Sequence, residues 1–311
     1  MEGAPVSAAH EIVVLCGGRS SESEVSLRSG RAVAAAVPGA RLVELATDAL
    51  PAWLDPARHV VFPALHGGWG EDGGIQGELE ARGIAFAGCS AAASRLCMDK
   101  VATKRAMRSA GVPAIPEVAF AGDAKPTAAE LVAALGEEIV LKPSDQGSSV
   151  GLFLPVGAPA IAEALAAIPS AGRWMAERRL RGREFSVGLL DGQPMGLVEI
   201  VALAGVYDYR TKYTQGASEY RFPAQLEPDL TAAIAAAAGR LFAAAGCRDF
   251  ARADVMLEPD GRFYFLEINT LPGMTETSLM PKSASCVGLD FPALVRRMLA
   301  PALARATGVP T

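Results

Sequence analysis

Two carboxylates, a guanidinium and an amide fall within one stretch of this 311-residue chain, Asp249 to Leu279, at spacings that a β-hairpin would gather. The stretch reads DFARADVMLEPDGRFYFLEINTLPGMTETSL. The apolar-rich runs FARADVML and RFYFLEIN flank Glu258-Pro259-Asp260-Gly261, a turn signal with proline and glycine in suitable places. Pairing Glu258 with Gly261 sets Arg252 opposite Glu267 and Asp254 opposite Phe265. Side chains alternate faces along a strand. Arg252, Asp254, Glu267 and Asn269 then share one face, and Ala253, Val255, Leu257, Tyr264, Leu266 and Ile268 share the other. In this register Asp254 and Glu267 are diagonal neighbours, roughly 7–8 Å apart at the backbone. Hard oxygen ligands so placed suit Mg²⁺, which takes a few carboxylates together with phosphate oxygens. A solvated sheet face with an Arg252–Glu267 pair fits the hairpin as well, and a slip of one residue would split the set.

Other groups point to anion chemistry. The apolar run Ile139 to Leu141 ends in Lys142, beside the loop PSDQGSSVG. A lysine closing a strand next to a Gly/Ser-rich loop can clamp phosphate with backbone N–H and hydroxyl donors. The lysine precedes the glycines, so this is not a Walker loop, and a flexible surface loop of the same composition is the plain alternative. Near the N-terminus, GGRSSESE follows the strand-like run Glu11 to Cys16 and opens a helical pattern that reaches about Val37. That arrangement makes an anion pocket but lacks the dinucleotide fingerprint. Glu22, within it, either complements the helix dipole or binds a substrate ammonium. His66 opens HGGWGEDGG, whose five glycines in nine residues imply a backbone that bends sharply or approaches a ligand closely. Loops at the carboxyl ends of strands are where open α/β sheets bind ligands. YDYRTKY, residues 207–213, holds three of the chain's five tyrosines and two cations, a composition suited to a lid.

The elements that must position these groups follow from pattern. Apolar runs at 11–16, 59–65 and 84–87 alternate with helical segments at 23–37 and 76–82, the alternation of a parallel α/β sheet. Residues 90–111, with serine at the start and glycine at the end, read as one helix with Lys100 inside it. Strands near 117–120, 139–142 and 173–178 and a short helix at 127–135 follow. A hairpin over 184–190 and 193–201 turns about Asp191-Gly192. The length predicts two or three domains. A net charge of −5 argues against nucleic acid or an anionic membrane as the main partner. Five cysteines at spacings unlike a metal site read as small buried hydrophobes in a reducing cytoplasm. MEGAPVSAAHEIVV lacks a signal-peptide pattern, and the alanine-rich helix at 231–246 is too short and weakly apolar to span a bilayer.

Together and in this order, GGRSSESEVSL, ALHGGWGEDGGIQG, MDK, LKPSDQGSSVG, REFSV, YDYRTKY, ARADVML and LEINTLPGMTETSL resemble the D-alanine–D-alanine ligase family of the ATP-grasp superfamily, over about Ile12 to Leu299. The resemblance implies an α/β ATP-grasp fold with an N-terminal, Rossmann-like parallel-sheet domain (1–94). Central (95–175) and C-terminal (176–311) α+β subdomains would clasp ATP. It implies Asp254, Glu267 and Asn269 as ligands of two Mg²⁺ or Mn²⁺ ions, with Glu267 bridging. Lys100, Lys142, Ser149 and Lys212 would meet the nucleotide phosphates. Glu177, Arg178 and Leu180 would hold adenine, through backbone groups, and Glu184 the ribose. Glu22 would bind the first D-alanine's ammonium, with His66 nearby and Ser148 and Tyr213 as hydrogen-bonded partners. Arg252 and the Gly273 N–H would stabilise an oxyanion, and Ser278 and Leu279 would bind the second carboxylate. The implied reaction releases ADP and joins two D-alanines through an acyl phosphate, for peptidoglycan precursor synthesis. The implied setting is a cytoplasmic homodimer, with a monovalent-cation requirement left open. Lys212-Tyr213 resembles the dipeptide-forming type more than ester-forming relatives. Arg178 stands where lysine is frequent, which a backbone role tolerates. An ATP-grasp ligase of another acid and a non-catalytic sensor are the alternatives; a sensor has no need of a complete phosphoryl-transfer set.

Overall fold

The computed structural model of the chain describes residues 10–147, 151–202 and 218–308. Strands β1 (Glu11–Gly17), β2 (Arg41–Leu45), β3 (His59–Pro63) and β4 (Ala85–Phe86) form a wholly parallel sheet in the order β2-β1-β3-β4. Such sheets are covered on both faces, and Val13, Val14 and Leu15 at its centre are fully buried. Helix α1 (Ser23–Ala36) lies over one face and α2 (Gly74–Ala81) over the other. The loops after β1 and β3, which carry Glu22 and His66, leave from the same edge of the sheet, as expected.

The segment 90–111 is not one helix. It splits into α3 (Ala91–Met98) and α4 (Lys100–Ser109) at Asp99, which ends the first and caps the second. The Asp99 carboxylate accepts from the N–H groups of Val101 and Ala102, both at 3.0 Å. Aspartate satisfies orphan amides at a helix start better than it continues a helix. Lys100 thereby becomes the first residue of a helix rather than a mid-helix surface lysine, and it is buried.

A second, antiparallel sheet runs β5-β7-β6, from β5 (Glu117–Ala121), β6 (Ile139–Pro143) and β7 (Arg173–Arg178). Helices α5 (Ala128–Leu135), held by a Thr127/Glu130 capping box, and α6 (Gly157–Ala167) pack on it through Leu131, Ile161 and Leu165.

The third sheet is antiparallel, β10-β9-β8-β11-β12, from β8 (Arg183–Leu190), β9 (Gln193–Ala202), β10 (Ser218–Arg221), β11 (Phe250–Leu257) and β12 (Phe263–Asn269). Asp191 and Gly192 turn the β8–β9 hairpin with φ of 49° and 74°, the type I′ geometry that this pair favours. Helix α7 (Pro228–Ala244) covers one face with Ile234, Ala237 and Leu241. Cys97, Met107 and Val112, from the α3–α4 segment, join that same core. Helix α8 (Leu279–Ser285) packs on β8 and β9, where Ser283 Oγ accepts from the Gly188 N–H and donates to the Gly196 carbonyl. Helix α9 (Phe291–Ala306) returns to the first sheet, where Leu294, Val295 and Met298 pack beside Val60 and Phe62.

The β11–β12 register differs from the expected one. Glu258 pairs with Arg262, not Gly261, because the turn holds three residues and Gly261 takes φ 86°. This matches a three-residue hairpin loop with a left-handed third position. A bulge between Asp254 and Val255 adds Leu266 as an unpaired residue. On the site side of the bulge, Arg252 faces Asn269 and Asp254 faces Glu267. The polar set therefore stays on one face, with Asp254 and Glu267 directly opposed rather than diagonal. Beyond the bulge the parity of β12 inverts. Phe265 is fully buried in the core, while Tyr264 and Leu266, expected there, are only partly buried.

Candidate active site

A cavity of about 610 Å³ opens where the first and third sheets meet. It gathers Glu22 and His66 from the first sheet, Lys100 from the start of α4, Arg252, Glu267 and Asn269 from the hairpin, and Gly273, Ser278 and Leu279 from the segment after it. Asp254 sits just behind this surface, 5% exposed. Its Oδ1 accepts from Ser186 Oγ at 2.6 Å, and Arg252 grips both its oxygens at 3.0 and 2.8 Å. Lys100 Nζ lies 3.9 Å from Glu267 Oε2 and donates to the Gln146 carbonyl at 2.6 Å. Lys100 thus links the loop after Lys142 to the hairpin. Asn269 Oδ1 accepts from the Leu271 N–H at 2.9 Å, leaving a second lone pair on that oxygen.

The ammonium-binding candidates are anchored by close backbone packing. Glu22 is 6% exposed. Gly67 beside it has φ 70°, a conformation that glycine adopts without strain, and a Cβ there would stand 2.8 Å from Glu22 Oε2. His66 places Nδ1 3.5 Å from Glu71 and Nε2 3.1 Å from Ser29 Oγ. Ser29 Oγ in turn accepts from the Met274 N–H at 3.1 Å. The loop bearing Gly273 and Ser278 is thus docked onto α1. A Cβ on Gly273 would lie 2.8 Å from Ser278 Oγ, which also accepts from the Thr275 N–H at 3.0 Å.

The β6–β7 sheet carries a separate charged cluster. Lys142 Nζ donates to Glu177 Oε1, and Lys104 Nζ lies 3.0 Å from Glu177 Oε2. Burial opposes ionisation of Glu177, but the two lysines outweigh it and hold the carboxyl down to about 2. Burial also lowers the pKa of Lys104, against the pull of Glu177. Arg178 commits its guanidinium to Glu258, with both bonds at 2.8 Å, and its backbone N–H donates to the Pro116 carbonyl at 3.4 Å. Leu180 follows β7, half-buried, and Glu184 is the second residue of β8. Arg178, Leu180 and Glu184, with Lys142 and Glu177, do not line the cavity itself. Ser148, Ser149, Lys212 and Tyr213, with the whole 207–213 lid, lie outside the described residues.

Two carboxylates and an amide oxygen on adjacent strands fit a divalent cation that completes its shell with phosphate and water. Among the described residues no cluster of three or more His, Cys, Asp or Glu side chains could hold an ion unaided. Sequence reading passed over several residues of this region. Ser186, on β8, pairs with Asp254 on β11, and Ser29 joins His66 to Met274, 245 residues after Ser29 itself. Lys282, whose pKa burial lowers, lies over the Tyr220 ring at 4.7 Å on the cavity wall. Only Lys104 left a local signal: it follows Lys100 by one helical turn, on the same face.

Comparison with known proteins bears on the same segments. Residues 106–300 match the family model "D-ala D-ala ligase C-terminus", and residues 40–89 match "D-ala D-ala ligase N-terminus". The chain is 41% identical over 305 residues to a D-alanine–D-alanine ligase of Moorella thermoacetica, covering 93% of this chain and 98% of that one. It is 42% identical over 299 residues to one of Magnetococcus marinus, covering 93% and 96%. The ligase of Bacillus anthracis, solved in complex with ATP, superposes with a TM-score of 0.83 at 29% identity over 98% of this chain and all of that one. A D-Ala:D-Ser ligase of Enterococcus faecalis superposes at 0.81 and 25% identity, over 95% of this chain and all of that one. No helix among the described residues is long and apolar enough to cross a membrane.

Proposed function

This chain belongs to the D-alanine–D-alanine ligase family, and we propose that it joins two D-alanines at the expense of ATP, releasing ADP and phosphate, to supply a peptidoglycan precursor. One observation carries the reading. Groups suited to an ammonium (Glu22), a phosphate (Lys100), an oxyanion (Arg252) and a cation (Glu267, Asn269) converge on one cavity from segments scattered between residues 22 and 279.

In this reading Glu22 holds the ammonium of the first D-alanine and leaves its carboxylate facing the γ-phosphate. Asp254, Glu267 and Asn269 would hold divalent ions, which would neutralise phosphate charge when bound. Lys100, Lys142, Ser149 and Lys212 contribute further positive charge or donors to the nucleotide phosphates. The backbone of Glu177, Arg178 and Leu180 receives adenine, and Glu184 the ribose. Attack of the carboxylate oxygen on the γ-phosphorus forms an acyl phosphate and expels ADP. The amine of the second D-alanine, oriented through its carboxylate by Ser278 and Leu279, then attacks the acyl carbon. The Arg252 guanidinium and the Gly273 N–H stabilise the tetrahedral oxyanion, and phosphate leaves. Ser148 and Tyr213 would close the site, because an acyl phosphate must be kept from water. We take 1–94, 95–175 and 176–311 as the three units that close on the substrates, and the cytoplasm and a homodimer as the setting.

Release of ADP from Mg²⁺-ATP with D-alanine, compared with L-alanine and with D-alanine plus D-lactate, tests the proposal. Activity dependent on D-alanine, with dipeptide as product, is expected, falling about 100-fold or more in Glu267→Gln. ATP binding without turnover on any of these substrates would favour a sensor.

A further inference from the structure

Lys104 is a buried lysine for which the ligation chemistry has no evident use. It is fully buried in α4. Its Nζ lies 3.0 Å from Glu177 Oε2 and 3.4 Å from the Ile115 carbonyl. Lys142 approaches the other Glu177 oxygen from β6. The side chains of Glu177 and Lys142 are 5% and 17% exposed. Two cations thus share one carboxylate, and only Lys142 borders solvent enough to move. The cross-strand neighbour Glu117 gives both its oxygens to Arg108, at 2.7 and 2.6 Å, and acts on Lys104 through its charge alone.

If Lys142 turns to a nucleotide phosphate, Glu177 loses one partner. A buried carboxylate left without a cation costs several kcal/mol. That cost would be charged against nucleotide binding unless a second cation stayed in place. We propose that Lys104 is a positioning residue that keeps Glu177 compensated and so releases Lys142 to the ATP phosphates. The proposal rests on the reading of Lys142 as a phosphate ligand. Lys104 touches no substrate in it; it acts through Glu177.

A merely structural role for Lys104, bracing α4 against β7, predicts something different, so a double-mutant cycle separates the two. Binding of Mg²⁺-ATP to the full chain is measured by calorimetry for wild type, Lys104→Met, Glu177→Gln and the double variant. Thermal melts confirm that each variant is folded, and Lys104→Gln takes the place of Lys104→Met in the cycle if the latter does not fold. Lys104→Met is expected to weaken ATP binding at least about tenfold in the wild-type background. It should change affinity by less than about twofold in the Glu177→Gln background, where no buried charge is left behind. Unchanged ATP affinity in Lys104→Met, or equal weakening in both backgrounds, overturns the proposal and leaves a brace. Failure of the wild type to bind ATP overturns the nucleotide reading itself, and this proposal with it.

Discussion

At the scale of single residues, the site works through carboxylates that sequence alone would leave to solvent. Glu177 shows how strongly its surroundings act: two lysines overcome the burial that disfavours its charge, and its pKa falls from 4.5 to about 2. A depressed carboxyl pKa stabilises the fold fully above the unfolded value and loses that contribution as pH falls toward the folded one. The resistance of wild type to urea should therefore fall between about pH 4.5 and pH 2 by more than that of Glu177→Gln. Equal acid sensitivity of the two proteins would show that the pair is not ionised as described. Ser29 is a second case. Its hydroxyl joins His66 to the Met274 amide in full burial. Ser29→Ala leaves that buried amide without its acceptor, at a cost of about 1–3 kcal/mol. Because Met274 adjoins Gly273, the same change should raise the KM for D-alanine and spare that for ATP. Steady-state kinetics beside a urea titration would show both effects.

At the scale of elements, what the sequence made legible was parity. Arg252, Asp254, Glu267 and Asn269 share a face because each strand keeps its period of two on the site side of the bulge. The pairing itself was less legible. A three-residue turn and the unpaired Leu266 together moved each opposed pair without splitting the polar set, and sent Phe265 rather than Leu266 to the core. Nothing local marks a bulge in FYFLEIN, where every residue before Glu267 is apolar. The break at Asp99 was equally hidden, since 90–111 keeps helical periodicity across it. That break has a consequence for the site. Asp99 caps α4 and also holds Arg173 Nη1 at 2.7 Å. Asp99→Ala should cost about 1 kcal/mol in the cap, measurable as a shift in the urea midpoint. It should also raise the KM for ATP, because Lys100 is the first residue that the cap orients. Asp99→Asn, which keeps a cap oxygen, should recover most of the stability.

At the scale of the molecule, local pattern runs out because the site is assembled from segments far apart in the chain. The parallel sheet followed from alternation and the hairpins of the third sheet from turn residues, but no periodicity announces that β7 lies between β5 and β6 or that α9 returns to cover the first sheet. One buried junction holds that return. Asp249, at the head of β11 with φ 59°, is 4% exposed. Its Oδ2 accepts from the Gly88 N–H at 2.8 Å, and Arg305 binds both its oxygens at 2.8 and 2.6 Å. Arg305 also donates to the Phe86 carbonyl at 2.7 Å. One guanidinium thus joins β4, β11 and α9, and through them the sheet that carries Glu22 and His66 to the sheet that carries Asp254 and Glu267. Arg305→Met strands Asp249 in the interior, a change that costs about 3–5 kcal/mol when a buried pair loses one partner. Lysine, with a point charge in place of a planar fork, cannot reproduce these directed bonds to the two Asp249 oxygens and the Phe86 carbonyl. Arg305→Lys should therefore melt well below wild type, though above Arg305→Met. The junction does not line the cavity, and it should affect catalysis through the relative placement of the two sheets. At a temperature where both variants are folded, kcat should fall while the affinity for ATP, bound between the second and third sheets in this reading, stays near that of wild type. Loss of both together would mean instead that the junction supports the whole fold and not the alignment of its halves.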